Sequence, residues 1–155
     1  MTEIRVDLRE IYDGIGTVDG GDGDDRIEIE TEFGSPFFGR PSVGATGGAG
    51  ADTFVVNVER ADVPGGSEDA RTTTSTGATI GDFDPSEDRL IVEVDGSLAQ
   101  DDDDIGAELG EDDFGNSGLT LTFAGAEYQA QSSATIRLGS NAAGATLDDI
   151  TIVRV

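Results

Sequence analysis

Two nine-residue segments of the chain share a pattern of glycines that ends in an aspartate and a large apolar residue. They are Gly20-Gly21-Asp22-Gly23-Asp24-Asp25-Arg26-Ile27-Glu28 and Gly47-Gly48-Ala49-Gly50-Ala51-Asp52-Thr53-Phe54-Val55. Both follow G-G-x-G-x-D-x-U-x, where U is a large apolar residue and x is any residue. Glycine lets the backbone turn tightly, with its carbonyl groups pointing inward and no Cβ atom in the way. Calcium accepts such carbonyls together with carboxylates, so the pattern predicts a calcium site.

The strongest candidate ligands are Asp25 and Asp52, because the sixth position of each segment brings formal negative charge. The other candidates are carbonyls and carboxylates of the same turns: Gly20, Gly21, Asp22, Gly23, Asp24, Gly47, Gly48 and Gly50. One segment alone cannot supply the roughly six to eight oxygens that calcium binds. Each segment also has the composition of an ordinary turn before a strand. The recurrence of the full pattern, each time before a β-type run, favours the metal site.

The two segments resemble the calcium-binding nonapeptide repeats of the RTX (hemolysin-type) family. This resemblance implies a parallel β-roll, with calcium bound between loops from adjacent coils. Residues 80–90 are similar to the segment that ends many RTX proteins, including the C-terminal domain of serralysin-type proteases. The resemblance implies that Asp82 and Asp88 contribute to calcium sites. A turn is an equally supported interpretation of these two residues and the favoured one for Asp84, which precedes a proline.

The spacing of the two segments departs from a regular repeat. They begin 27 residues apart (47 − 20), which is three nonapeptide lengths, and residues 29–37 and 38–46 between them lack the glycine pattern. Repeat solenoids need about three or more units to bury a continuous core. A long regular roll is therefore not expected. The two loops either share one calcium ion or each recruit other carboxylates.

The two ends of the chain bear on export. Residues 146–153 resemble the acidic-then-apolar ending of RTX proteins exported by type I secretion, although a last strand after a turn has the same composition. The first residues contain no basic region followed by an apolar run, so no Sec-type signal peptide is predicted there. The resemblance implies a type I secretion apparatus as a partner and a secreted, extracellular protein.

The charge of the chain restricts its partners. Thirty-three acidic residues face nine arginines, with no lysine or histidine, which gives a net charge of −24. Screening at physiological salt extends over about 8 Å, so neighbouring carboxylates still repel one another. Bound cations, high salt or permanent disorder would relieve that repulsion. Nucleic acids and anionic membranes are excluded as partners because they require basic patches. No apolar run is long enough for membrane insertion.

The residue types also argue against an enzyme. Without cysteine or histidine, thiolate zinc sites, Ser–His nucleophiles and imidazole acid–base catalysis lose their usual groups. Neither H-E-x-x-H nor G-x-S-x-G occurs, so the resemblance brings no protease or lipase site with it. A hydrolase with paired carboxylates is one alternative. The others are a chain adapted to high salt and a β-sandwich adhesin or carbohydrate-binding module.

Short runs of alternating apolar and polar residues predict an all-β fold. These runs lie at residues 4–8, 27–31, 54–58, 90–94, 119–123, 136–138 and 150–153. We expect one domain over 1–155, with a short parallel β-roll-like portion packed with or capped by an antiparallel β-sandwich. Its predicted parts are the nonapeptide motifs at 19–56, a loop at 57–79, and a capping, secretion-like portion at 80–155.

Two further expectations concern local structure. The acidic stretch 99–113, which contains four consecutive aspartates, is predicted to be a solvated loop, with cation binding as the alternative. Helical structure is expected only over residues 8–12 and in a turn near residues 147–150.

Overall fold

The computed structural model describes residues 1–7, 16–33, 43–60, 74–96, 98–99, 101–111, 115–123 and 132–155. Within these ranges, the strands are β1 (Glu3–Asp7), β2 (Gly16–Asp22), β3 (Arg26–Phe33), β4 (Val43–Ala49), β5 (Thr53–Arg60), β6 (Thr74–Ile80), β7 (Arg89–Val94), β8 (Ile105–Glu111), β9 (Ser117–Phe123), β10 (Ser132–Gly139) and β11 (Ile150–Arg154). Two short 3₁₀ turns, Asp102–Asp104 and Leu147–Asp149, precede β8 and β11. No helix in the described part of the chain has the length and apolarity to cross a bilayer.

The strands form two sheets. One sheet is entirely parallel, in the order β1-β3-β5-β7-β11, and the other is mixed, in the order β2-β4-β6-β10-β9-β8. From β1 to β7 the chain alternates between the two sheets, so each coil contributes one strand to each. Antiparallel pairing is confined to β10-β9-β8, which continue the mixed sheet and do not form a separate sandwich. The all-β prediction with a short parallel roll is thus confirmed.

The register of the parallel sheet stacks apolar side chains at the same height. Ile4 pairs with Ile27, Ile27 with Phe54, Phe54 with Leu90, and Leu90 with Ile150. Because side chains alternate across a strand, each apolar row on this face points towards the mixed sheet. These rows form one side of the buried core.

The mixed sheet supplies the other side of the core. Its buried apolar residues are Ala45, Ala78, Ile80, Leu119, Leu121, Phe123, Ala134, Ile136 and Leu138. Phe83, from the connection between β6 and β7, is fully buried. Its ring meets that of Phe54 edge to face, with the ring centres 6.4 Å apart and the planes at 71°. A single core between the two sheets therefore includes a side chain from the connection between β6 and β7.

Seven of the eleven strands match the alternating runs in the sequence. The other four, β2, β4, β6 and β8, all belong to the mixed sheet, and each contains glycine. The predicted loop over 57–79 is wrong at both ends, because β5 continues to Arg60 and β6 begins at Thr74. The predicted loop over 99–113 is wrong where Ile105–Glu111 forms β8. The turn near residue 147 is confirmed, and the helix over 8–12 lies outside the described residues.

The spacing of the nonapeptides has a different meaning from the one expected. Gly21 pairs with Gly48 and Ile27 with Phe54, so the two motifs lie at the same corner of successive coils. Twenty-seven residues are therefore one coil and not three short repeats. The stretch between the motifs lacks the glycine pattern, yet it contributes most of β3 and part of β4.

Close packing between coils predicts a strict requirement for glycine at position 48. Gly48 has φ +98°, and a Cβ atom there would lie 2.1 Å from the Gly21 carbonyl oxygen of the preceding coil. We expect Gly48→Ala to destabilise the protein by about 2–4 kcal/mol in urea unfolding. Gly44→Ala is the matched control in the same strand, since a Cβ atom there meets nothing within 4 Å. Equal stability of the two variants would contradict the stacking of the turns.

Candidate metal centre

Three turns lie on top of one another where the chain passes from the mixed sheet to the parallel sheet. They are residues 23–25, 50–52 and 81–88, and we call them the turn stack. Backbone hydrogen bonds join them directly: Gly23 N donates to Ala49 O at 2.7 Å, and Thr53 N donates to Asp25 O at 2.8 Å. Arg89 N makes the equivalent bond to Asp52 O, also at 2.8 Å. The turns therefore keep the register of the sheets on either side.

An aspartate from each turn adds a second set of bonds between coils. Asp25 Oδ1 accepts the N–H of Thr2, Asp52 Oδ1 accepts the N–H of Asp25 at 2.8 Å, and Asp88 Oδ1 accepts the N–H of Asp52 at 2.9 Å. Each carboxylate thus binds the backbone of the preceding coil just before the strand begins. We call Asp25, Asp52 and Asp88 the aspartate column.

The sequence spacing explains why the column forms. Each aspartate stands two residues before an inward apolar residue, in Asp25-Arg26-Ile27, Asp52-Thr53-Phe54 and Asp88-Arg89-Leu90. Because those apolar residues pair with one another across the parallel sheet, the aspartates reach the same height. The short pattern D-x-U is therefore the local signal for the column.

The first glycine of each nonapeptide makes room for the aspartate of the same motif. A Cβ atom on Gly47 would lie 2.1 Å from Asp52 Oδ2. A Cβ atom on Gly20 would lie 2.9 Å from Asp25 Oδ2 and 2.5 Å from the carbonyl oxygen of Gly47. The pattern thus has a packing reason at its first position. It also brings a carboxylate oxygen and a backbone carbonyl oxygen to one side of Gly20.

Asp25 carries an oxygen that nothing in the described structure satisfies. Asp25 is 2% exposed, and its Oδ2 atom is buried without a hydrogen-bond partner. A buried acceptor without a partner costs about 1–3 kcal/mol, and more when it is charged. A cation beside Asp25 Oδ2 and the Gly47 carbonyl would remove that cost. These hard oxygen donors fit calcium.

The column also concentrates negative charge. Burial raises the pKa of Asp52; the N–H of Asp25 lowers it in part, while the neighbouring carboxylates, including Asp88 and Asp82, raise it further. Burial likewise raises the pKa of Asp88, against the lowering effect of its bonds from the Asp84 and Asp52 N–H groups. Among the described residues, no arginine forms an ion pair with the column, and the one cationic group paired with it is the amino group of Met1, 3.9 Å from Asp25 Oδ1. A positive ion at the turn stack would offset this repulsion.

The third turn anchors the second. Asp82 Oδ1 and Oδ2 accept the N–H groups of Gly47 and Gly48, each at 3.0 Å. Asp88 Oδ2 accepts the N–H of Asp84 at 2.9 Å. Asp84 Oδ1 accepts both the N–H and the hydroxyl of Ser86, and these bonds lower the pKa of Asp84. Asp82 and Asp88 thus lie at the site as backbone anchors, and Asp84 closes its own turn.

The remaining acidic candidates lie at the outer surface of the first turn. Asp22 and Asp24 are exposed, and Asp24 Oδ1 accepts the N–H of Ala51 at 3.0 Å. In the described part of the chain, no three acidic side chains form a cluster able to hold a metal by themselves. A calcium ion in the turn stack would therefore depend on backbone carbonyls as well as on Asp25 and Asp52.

The turn predicted near residue 147 belongs to a fourth connection, between β10 and β11, whose place in the stack of coils the sequence did not reveal. A Cβ atom on Gly139, which has φ +71°, would lie 2.3 Å from the Gly81 carbonyl oxygen, as Gly48 does with Gly21. The signal in the sequence is Asp148-Asp149-Ile150, which repeats D-x-U. The pairing of Ile150 with Leu90 puts Asp148 at the register position of the column, but its side chain is exposed.

Comparison of the chain with protein-family models and with curated proteins gives no match. The resemblance to RTX nonapeptides therefore stays an interpretation of the short segments that suggested it. The site itself is defined by the turn stack, the aspartate column and the unsatisfied oxygen of Asp25.

Substitutions at Asp52 should separate its hydrogen bond from its charge. Asp52→Ala leaves the buried N–H of Asp25 without an acceptor, so we expect a loss of about 1–3 kcal/mol in calcium-free buffer. Asp52→Asn keeps an acceptor oxygen and removes a charge from the column, so its calcium-free stability should equal or exceed that of the unmodified protein. Chemical unfolding in the presence of a chelator measures both. A larger loss for Asn than for Ala would contradict the capping role.

Proposed function

We propose that this chain is a calcium-binding β module in which calcium occupies the turn stack and stabilises the roll. The observation that supports this most directly is the buried, unpartnered Oδ2 atom of Asp25 beside the Gly47 carbonyl. Such an oxygen is unfavourable in an empty site and favourable as a ligand. The proposed role is structural, and no catalytic activity is part of it.

In this proposal, Asp25 and Asp52 supply the charged ligands, and carbonyls of the glycine turns, Gly47 first among them, supply neutral ones. Asp82 and Asp88 hold the second turn in place through its N–H groups. Bound calcium adds positive charge beside the aspartate column. The chain's own part is to orient the oxygens and to keep them out of bulk water.

The expected affinity is modest but sufficient. Extracellular calcium modules bind with dissociation constants of about 10⁻⁴ to 10⁻³ M. At the tighter end of that range, about 1 mM calcium adds about 1.4 kcal/mol per site. Two sites would add about 3 kcal/mol, a large share of the roughly 5–15 kcal/mol that separates folded from unfolded domains. Relief of repulsion within a chain of charge −24 acts in the same direction.

This coupling suits a protein that folds after export. In a cytosol with little free calcium the sites would stay empty and the repulsion would oppose compaction, whereas calcium outside the cell would favour the roll. The acidic composition supports this proposal, as does the unit formed by the 3₁₀ turn Leu147–Asp149 and β11. Within the proposal, the protein is secreted, and a type I secretion apparatus is the partner that exports it.

Thermal unfolding with and without calcium tests the proposal. At constant ionic strength, millimolar CaCl₂ should raise Tm over a chelator by about 3–6 °C for one site and about 6–12 °C for two, because each kcal/mol corresponds to about 2–4 °C in a chain of this size. The double variant Asp25→Asn with Asp52→Asn keeps acceptor oxygens in the column but loses two charged ligands. We expect it to fold in chelator and to gain less than about 2 °C from calcium.

The control variant carries Asp103→Asn and Glu108→Gln, which remove the same charge from exposed positions. It should keep the full response to calcium. Sodium chloride at matched ionic strength separates calcium binding from adaptation to salt. Equal stabilisation by NaCl and CaCl₂, or a full calcium response in the Asp25 and Asp52 variant, would contradict the proposal.

A further inference from the structure

The two sheets end in four edge strands: β1 and β11 in the parallel sheet, and β2 and β8 in the mixed sheet. Charged side chains on an edge strand discourage pairing with another chain. Each of β1, β2 and β8 contains two acidic residues. By contrast, β11 contains no acidic residue, although the chain has 33 of them; its sequence is Ile150-Thr151-Ile152-Val153-Arg154. β11 is therefore the edge with the least protection.

Exposed apolar side chains collect at the same end of the molecule. Leu147, Val153 and Val155 are 44%, 38% and 66% exposed, and among the described residues the only other large exposed apolar side chain is Met1. An open groove there is lined by Asp102, Ile105, Ile152, Val153 and Arg154. Edge strand and groove form one continuous surface, which we call the β11 edge.

The backbone of β11 has hydrogen-bonding groups directed outward. Val155 N donates to Val94 O, and Val155 O accepts from Gly96 N, both at 2.9 Å, so this residue bonds towards β7. Backbone groups alternate in direction along a parallel strand. The N–H and C=O groups of Ile152 and Arg154 and the C=O group of Ile150 therefore point away from β7, whereas the Ile150 N–H donates to the Leu147 carbonyl of the preceding 3₁₀ turn. No described strand lies beyond them.

The charges at the two ends of β11 select the direction of pairing. Asp148 and Asp149 precede the strand, and Arg154 ends it, with its Nε atom bonded to the exposed Asp102 at 3.2 Å. An antiparallel partner of the same sequence brings Asp148 of one copy near Arg154 of the other, twice across a two-fold axis. A parallel partner would place like charges side by side. We propose that the β11 edge is a homodimer interface, in which β11 pairs antiparallel with β11 of a second copy.

The strand favours a second copy as the partner because it is complementary to itself. Residues 148–154 begin with two aspartates, continue with β-branched residues and end with Arg154. In an antiparallel pair, the acidic end of one copy therefore lies beside the basic end of the other. Two charges of −24 repel each other. Association should therefore tighten as salt is raised, the reverse of the behaviour of an interface held mainly by ion pairs. A five-residue edge with a groove falls at the small end of stable interfaces, so the dimer should depend on protein concentration.

Charge reversal tests the interface in sedimentation experiments with the full chain in about 0.5 M NaCl. We expect a monomer–dimer equilibrium for the unmodified protein. Asp148→Arg and Arg154→Glu should each weaken dimerisation about tenfold, because each replaces two attractive contacts by two repulsive ones. Arg154→Glu also removes the ion pair with Asp102 of its own chain. An equimolar mixture of the two variants restores both attractive contacts and should dimerise within about threefold of the unmodified protein.

The matched controls are Glu3→Arg and Arg137→Glu, which make the same charge changes at exposed positions outside the β11 edge. They should leave dimerisation unchanged, and circular dichroism checks that every variant is folded. A monomer at all concentrations would overturn the proposal, and so would a dimer insensitive to both reversals or a mixture that fails to recover. A chain that is monomeric alone but binds a basic extended peptide at this edge would equally overturn it.

Discussion

The structure depends on hydrogen bonds that run from one coil to the next through aspartate carboxylates. Just before β1, β3 and β5 of the parallel sheet, a backbone N–H lies outside the regular ladder and needs an acceptor. Asp25, Asp52 and Asp88 supply that acceptor from the following coil. Because each carboxylate is held by its own turn, the bond also sets the register between coils. The apolar rows that follow two residues later then meet at the same height.

This arrangement couples the fold to electrostatics. Neighbouring strands lie about 4.8 Å apart, so the column stacks like charges within one screening length in a partly buried place. Hydrogen bonds from backbone N–H groups offset part of the repulsion, yet the pKa values of Asp52 and Asp88 remain raised. A divalent cation beside Asp25 Oδ2 would offset the repulsion that remains. The same residues that align the coils are thus the ones that would bind calcium in the proposed function.

The two sheets contribute different kinds of residue to the roll. The parallel sheet carries most of the β-branched and aromatic core residues, whereas the mixed sheet leads into the turns and contains glycines that let coils approach closely. This division also affects the ends of the roll. Three of the four edge strands, β1, β2 and β8, carry acidic side chains. The fourth, β11, has an uncharged middle of β-branched residues. The stacking of one strand on the next therefore ends at β11 in an edge without acidic side chains.

The sequence by itself determined the seven strands with alternating apolar residues, the glycine turns, and Asp25 and Asp52 as residues that act together. It could do so because two-residue alternation and the D-x-U spacing are local signals. Only the tertiary structure decided that 27 residues make one coil, that Gly21 lies against Gly48, and that Asp88 joins the column. The four missed strands are glycine-bearing and polar, with few large apolar side chains to reveal them. Three of them, β2, β4 and β6, pair with parallel partners a whole coil away in the chain, and that distance leaves no mark in the local sequence. The fourth, β8, pairs antiparallel with the next strand, β9.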